Sequence, residues 1–239
     1  MSNFQSQDHI IRLLALGDCN TSGSARLPPG NSVPDKVAQL LEQRGVAVQL
    51  HNFGYTMTTT REGVARLQHH AKPIDLLIIN YGLVDAWITA LPRIYIPYYP
   101  DNWLRRRMRK LLKSVKRRLR SPRLRRVIPV GHVVALDEYQ QNISRIIHLA
   151  KAHNPGVFIM LWGSPPTLHN PERNRHLVDY DASLARLANG RDIRFLDTRA
   201  LLAGSDAATA YLDDVHLSAL AAQKVASAIA DAYFAWRQA

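Results

Sequence analysis

Two short stretches at opposite ends of the chain carry the side chains best suited to covalent chemistry. Gly17-Asp18-Cys19-Asn20-Thr21 follows directly on the apolar run Ile10 to Leu16 and brings together a small turn residue, an acid and a thiol. A thiol at the mouth of a strand becomes a nucleophile when a helix N-terminus or an imidazole stabilises its thiolate. The second stretch is Tyr211-Leu212-Asp213-Asp214-Val215-His216-Leu217-Ser218, just before an apolar C-terminal segment. In a turn, the Asp213 carboxylate can accept from one nitrogen of His216 while the other faces a nucleophile; this orients the ring and stabilises its protonated form. Asp214 could fill the same role, or either acid could cap the following helix. Cys19 is the sole cysteine, which excludes an intramolecular disulfide and fits a reducing compartment. A lone cysteine is also commonly a small buried hydrophobe.

Apolar runs and amphipathic stretches alternate between these two sites. Strands are expected at Ile10–Leu16, Val46–Asn52, Ile74–Tyr81, Val157–Trp162 and Ile193–Leu196. The third is nearly all apolar, as strands covered on both faces are. Helices are expected over Asp35–Arg44, closed by Gly45, and over Arg61–Ala71. Three more are expected: one to His153 capped by Asp137, one over Arg173–Ala188, and one to about Trp236 capped by Ser218. Such alternation implies an α/β fold with a parallel sheet and helices on both faces. Reactive residues then belong to the loops beyond the carboxyl ends of the strands, where both candidate stretches fall. His69 and His70 are adjacent on a helix, do not share a face, and read as solvated; no metal is expected.

Four blocks in order resemble those of the SGNH (GDSL-type) hydrolase superfamily. Gly17-Asp18-Cys19-Asn20-Thr21 is similar to its first, with Cys19 at the serine position. Asn52-Phe53-Gly54-Tyr55-Thr56-Met57-Thr58-Thr59, followed by Gly63-Val64-Ala65-Arg66-Leu67, resembles the second. Gly82-Leu83-Val84-Asp85 resembles the third, Gly-x-Asn-Asp, and Asp213-x-x-His216 the last. The resemblance implies a flavodoxin-like three-layer α/β/α sandwich with a five-stranded parallel sheet. It also implies a triad in which Cys19 attacks, His216 shuttles the proton and Asp213 orients it. The oxyanion would be held by the N–H groups of Cys19 and of Gly54 or Met57, depending on register. Asp18, Asn20, Gly82 and Asp85 would line the oxyanion and substrate site. Val84 stands where the family has an asparagine donor, and Asn20 or Asn80 could substitute for it. The expected substrates are acyl esters of small molecules, glycans or lipid-linked glycans, with hydrolysis or acyl transfer as the reaction and no cofactor. A site decayed into a glycan- or acyl-binding pocket is the alternative.

The chain has 239 residues and a formal charge of +12, and that charge is concentrated. Thirteen of the 31 Lys and Arg lie between Arg105 and Arg126, leaving 18 for the rest of the chain against 19 Asp and Glu. Within Asn102–Arg120, Leu104, Met108, Leu111, Leu112, Val115 and Leu119 recur at helical spacing, behind the aromatic run Tyr95-Ile96-Pro97-Tyr98-Tyr99-Pro100. This is a basic amphipathic helical insertion after the third strand, spanning 93–132 of a single domain over 1–239. Trp103, Arg105, Arg106, Arg107, Arg109, Lys110, Lys113, Lys116 and Arg117 are its candidates for contact with an anionic membrane or polyanion. A lid packed on the domain and nucleic-acid binding are the other readings. No run approaches the roughly 20 apolar residues of a membrane span, and the N-terminus does not read as a signal peptide. A cytoplasmic protein, peripheral to the membrane in the first reading, is expected.

Overall fold

In a computed structural model of the chain, residues 10–98, 101–119 and 128–239 are described. In chain order the elements are β1 (Ile11–Gly17), α1 (Cys19–Ser22), α2 (Val33–Gln43), β2 (Val48–Gly54), α3 (Thr60–Gln68), β3 (Leu76–Asn80) and β4 (Ile88–Ala90). They continue with α4 (Trp103–Leu119), β5 (Val130–His132), α5 (Leu136–His153), β6 (Phe158–Trp162), α6 (Pro171–Leu187) and β7 (Ile193–Leu196). The chain closes with α7 (Thr198–Leu201), α8 (Ala207–Ala210) and α9 (Ala219–Gln238).

The five strands anticipated from the sequence form one parallel sheet in the order β2-β1-β3-β6-β7, the flavodoxin-like order. Alternate side chains feed two cores. Leu14, Leu16, Leu77, Ile79, Ile159 and Leu161 point to the layer formed by α3, α5 and α6. Leu13, Ala15, Leu76, Ile78, Phe158 and Met160 pack under α2 and α9. Both faces of β1, β3 and β6 are therefore covered, which is why they read as unbroken apolar runs.

Several boundaries differ from expectation. Ser218 does cap α9, accepting the Ala221 N–H at 3.1 Å. Ala135, not Asp137, occupies the N-cap of α5, and Asp137 sits in its first turn. His69 is exposed as expected, whereas His70 is half-buried, its ring edge-on to His51, Phe53 and His153. The basic segment is bracketed by a short antiparallel ladder, β4 with β5, pairing Ile88 with His132 and Ala90 with Val130. Arg120, Arg123, Arg125 and Arg126, with Tyr99 and Pro100, lie outside the described residues. Among the described residues, no helix is long and apolar enough to cross a membrane.

Candidate active site

The first loop is tighter than the sequence suggested. The chain leaves β1 at Gly17, where a Cβ would land on the Thr21 hydroxyl and the Asn80 carbonyl, and turns at once into α1. Asp18 caps that turn by accepting the Asn20 N–H at 3.1 Å, which makes Cys19 the first residue of a helical turn. The Cys19 N–H, a first-turn donor, has no hydrogen-bond acceptor among the described residues.

His216 is held on its side of the cleft by Asp213. Nδ1 of the imidazole lies 2.9 Å from both carboxylate oxygens, and Asp213 Oδ1 also accepts the N–H groups of Val215 and His216 at 3.0 Å. Partial burial would raise the Asp213 carboxyl, but the His216 ring and these backbone donors outweigh it and bring it down to about 2. Asp214 turns away, accepting the His169 N–H at 2.7 Å, so Asp213 is the acid paired with His216.

Asn20 joins the two halves. Its Nδ2 donates to Val215 O at 3.1 Å and its Oδ1 accepts the Leu217 N–H at 3.2 Å, clamping the residues on either side of His216 to the neighbour of Cys19. This corrects the expectation that Asn20 lines the oxyanion, because both ends of its amide are occupied. Asn80 is equally unavailable: it donates to Trp162 O at 2.9 Å and accepts from the Thr21 hydroxyl.

The two second-block candidates have different surroundings. Gly54 packs β2 against α1, a Cβ there would strike the Ser22 backbone nitrogen, and its N–H is taken by Asn52 Oδ1 at 2.8 Å. Met57, with φ of 66°, holds the left-handed backbone that glycine ordinarily supplies, and its N–H has no acceptor among the described residues. Of the two candidates, Met57 and not Gly54 keeps an N–H without an acceptor among the described residues. Gly82, with φ of 133°, makes the turn after β3. Asp85 does not line the site: fully buried, it anchors α3 by accepting the Thr60 N–H at 2.9 Å and its hydroxyl at 2.7 Å.

Electrostatics set the resting state of the thiol. Cys19 is 7% exposed, and no hydrogen bond links its sulfur to His216 among the described residues. Burial, then the Asp18 carboxylate, push the thiol well above its usual range. Burial also raises Asp18 and Asp85 to about 7, and one oxygen of each is without a hydrogen-bond partner. Burial and the absence of a sulfur–imidazole hydrogen bond among the described residues thus favour the neutral thiol over a thiolate–imidazolium pair.

One site residue escaped the sequence reading. Arg173, in the first turn of α6, donates through Nε and Nη2 to the carbonyl of Leu83 and lies 4.9 Å over the Trp87 ring. Its charge acts on Asp18 and Cys19, lowering the pKa values that burial raises, and its Nη1 has no acceptor among the described residues. It is pinned to the residue before Val84, the position at which the third-block amide is missing.

Beyond these donors a cavity of about 460 Å³ opens between α4 and the body. Met57 and Val84 lie at the site end, Trp87, Tyr95, Ile96 and Leu112 supply further walls, and Arg109, Lys113 and Arg117 bring cations to it. The segment leading into α4 is tied down by the Tyr95 hydroxyl on Glu62. Arg109 also has a structural place. It pairs with Asp101, donates to Pro97 O at 2.9 Å and lies over the Tyr98 ring, so it is not free for an external anion.

A cysteine-bearing turn after β1 and an Asp–His pair before the last helix occupy the places of the first and last blocks of the SGNH-type hydrolases. The GDSL-like lipase/acylhydrolase family model matches residues 15–224, and the chain belongs to that family. No curated protein matches. Among solved structures, the chain is similar to a lipase/acylhydrolase from Enterococcus faecalis, at 15% identity over 95% of this chain and 96% of that one, with a TM-score of 0.64. It is similar to a catalytic mutant of Axe2, an acetylxylan esterase from Geobacillus stearothermophilus, at 20% identity over 95% and 93%, with a TM-score of 0.60. The lipase Lip_vut3 from a goat rumen metagenome gives 17%, 93%, 97% and a TM-score of 0.59.

Proposed function

We propose that the chain is an acyl-ester hydrolase or acyltransferase working through Cys19, His216 and Asp213. The observation that carries this reading is the Asn20 clamp, which fastens an intact Asp213–His216 pair to the residue next to Cys19. In the reaction, His216 takes the thiol proton as Sγ bonds to the ester carbonyl carbon. The N–H groups of Cys19 and Met57 hold the oxyanion, and Arg173 Nη1 is the third donor in place of the absent asparagine. Collapse breaks the ester C–O bond, the alcohol leaves with the proton held by His216, and a thioester remains on Cys19. Water or a sugar hydroxyl then attacks, giving its proton to His216, and the C–S bond breaks as the thiol is reprotonated. Because the thiol is neutral at rest, proton removal is concerted with attack.

The apolar cavity beyond Met57 and Val84 suits the acyl part of the substrate, and an acylated carbohydrate or lipid-linked glycan is the class proposed. A series of p-nitrophenyl esters from acetyl to decanoyl tests this. Medium chains should be preferred, and Val84→Phe should shift the preference to acetyl. A rate indifferent to chain length in both proteins would remove the cavity from the reaction. The burial of Cys19 favours a second reading, a glycan- or acyl-binding protein without turnover, and in that case the same esters bind and are not released as acid.

A further inference from the structure

Of the six apolar residues of the α4 stripe, Leu112 and Leu119 are half-buried and the other four face away from the domain. Leu104, Met108, Leu111 and Val115 fall within about 60° of helix circumference at 3.6 residues per turn, and all four are exposed, Leu111 at 68%. The half-buried positions are Arg105, Arg109, Leu112, Lys116 and Leu119, centred roughly a quarter turn away, with Ser114 on the opposite flank. Trp103 is also exposed, with the Arg107 guanidinium over its ring at 5.4 Å. Of the twelve large apolar side chains exposed among the described residues, eight lie between Trp87 and Val130. A helix that turns most of its apolar stripe outward while setting cations against the body has the reverse of the arrangement that folding alone selects.

We infer that α4 is an interfacial helix that docks the protein on an anionic lipid bilayer. The stripe would enter the boundary between headgroups and acyl chains, while Arg107 and Arg118 along its edge meet lipid phosphates and Trp103 sits at headgroup level. Charge complementarity selects the occupant: α4 has no acidic residue, and the flanking cations suit an anionic surface. A nucleic acid would use the cations and leave the stripe in water. The docking surface contains no triad residue, so it stands whether or not Cys19 turns over. If Cys19 does, the same helix walls the cavity that begins at Met57 and Val84, and the substrate is an ester taken from the bilayer.

The test is flotation of the full-length protein with vesicles of phosphatidylcholine alone or mixed with phosphatidylglycerol. Each cation at the surface should strengthen binding about fivefold, so the mixed vesicles are strongly preferred. Leu111→Gln and Met108→Gln, exposed positions at which the fold is unaffected, should each weaken binding to mixed vesicles about tenfold. Tryptophan emission should shift to the blue on binding in the wild type and not in Trp103→Phe. Any of three results overturns the inference: wild type that does not float with mixed vesicles, glutamine variants that bind like wild type, or a wild-type dimer that these variants convert to monomer. Retention on single-stranded DNA with the same affinity in all variants, and no flotation, would assign the segment to nucleic acid instead.

Discussion

Replacing Asn20 by alanine is the perturbation whose consequences the site geometry fixes most closely. The amide is buried and bridges to Val215 O and the Leu217 N–H. Its loss leaves a backbone donor and acceptor without partners, at about 1–3 kcal/mol for each unsatisfied buried group. Partial hydration of the Val215 side lowers the sum, so Asn20→Ala should destabilise by about 2–4 kcal/mol, against the 5–15 kcal/mol typical of a domain. With a denaturant slope of about 3 kcal/mol/M, the urea midpoint falls by about 1 M. The functional effect is separate. A loop carrying His216 that shifts by about 1 Å should lower kcat roughly 100-fold with little change in KM. Asn20→Asp keeps the acceptor for Leu217 N–H, loses the donor to Val215 O, and should fall between the two. Urea unfolding and steady-state ester hydrolysis read both effects. If Asn20→Ala loses the stability but keeps kcat, or moves only KM, the clamp does not position His216 and that step of the argument is refuted.

Other consequences concern the charges around the site. Arg173→Gln should lower kcat about 10²–10³-fold, the usual effect of losing an oxyanion donor, with KM nearly unchanged in a chain-length-matched assay. Iodoacetamide should label native Cys19 slowly below pH 9 and at the same rate in His216→Ala, because burial and not an imidazole sets the resting thiol; mass spectrometry against pH reads this. Asp18 and Asp85 have folded pKa values raised to about 7, so between the ordinary carboxylate value and about 7 the folded state binds more protons than the unfolded one. Stability should therefore decline as pH rises from the ordinary carboxylate value to about 7 and level off above it. Asp85→Asn, which keeps the acceptor for Thr60, should be more stable than wild type above pH 7 in urea titrations and equal to it near pH 4.

The sheet was legible because burial on both faces makes β1, β3 and β6 continuous apolar runs, and the loops that carry the chemistry follow from the sheet. Shorter elements were not legible. A single turn such as α1 is too short to show periodicity, although that turn is what presents Cys19 as a first-turn residue. The three-residue β4–β5 ladder has no alternation to read. Which of Gly54 and Met57 keeps an unpaired N–H among the described residues could not be read from residue types, since a left-handed methionine leaves no compositional trace. Arg173 lies 90 residues from the carbonyl it binds and has no local signal of its role. In α4 the period of the stripe was visible, but not the direction it faces, because periodicity fixes which residues share a face and not what that face meets.

The central claim is that Cys19 is acylated with the help of His216. Brief mixing with a p-nitrophenyl ester, acid quench, digestion and mass spectrometry of the Cys19 peptide test it most directly. The account expects one acyl group on Cys19, removable by neutral hydroxylamine as a thioester is, forming far more slowly in His216→Ala and absent in Cys19→Ala. An unmodified Cys19 in the wild type, or acylation at an equal rate without His216, would contradict it.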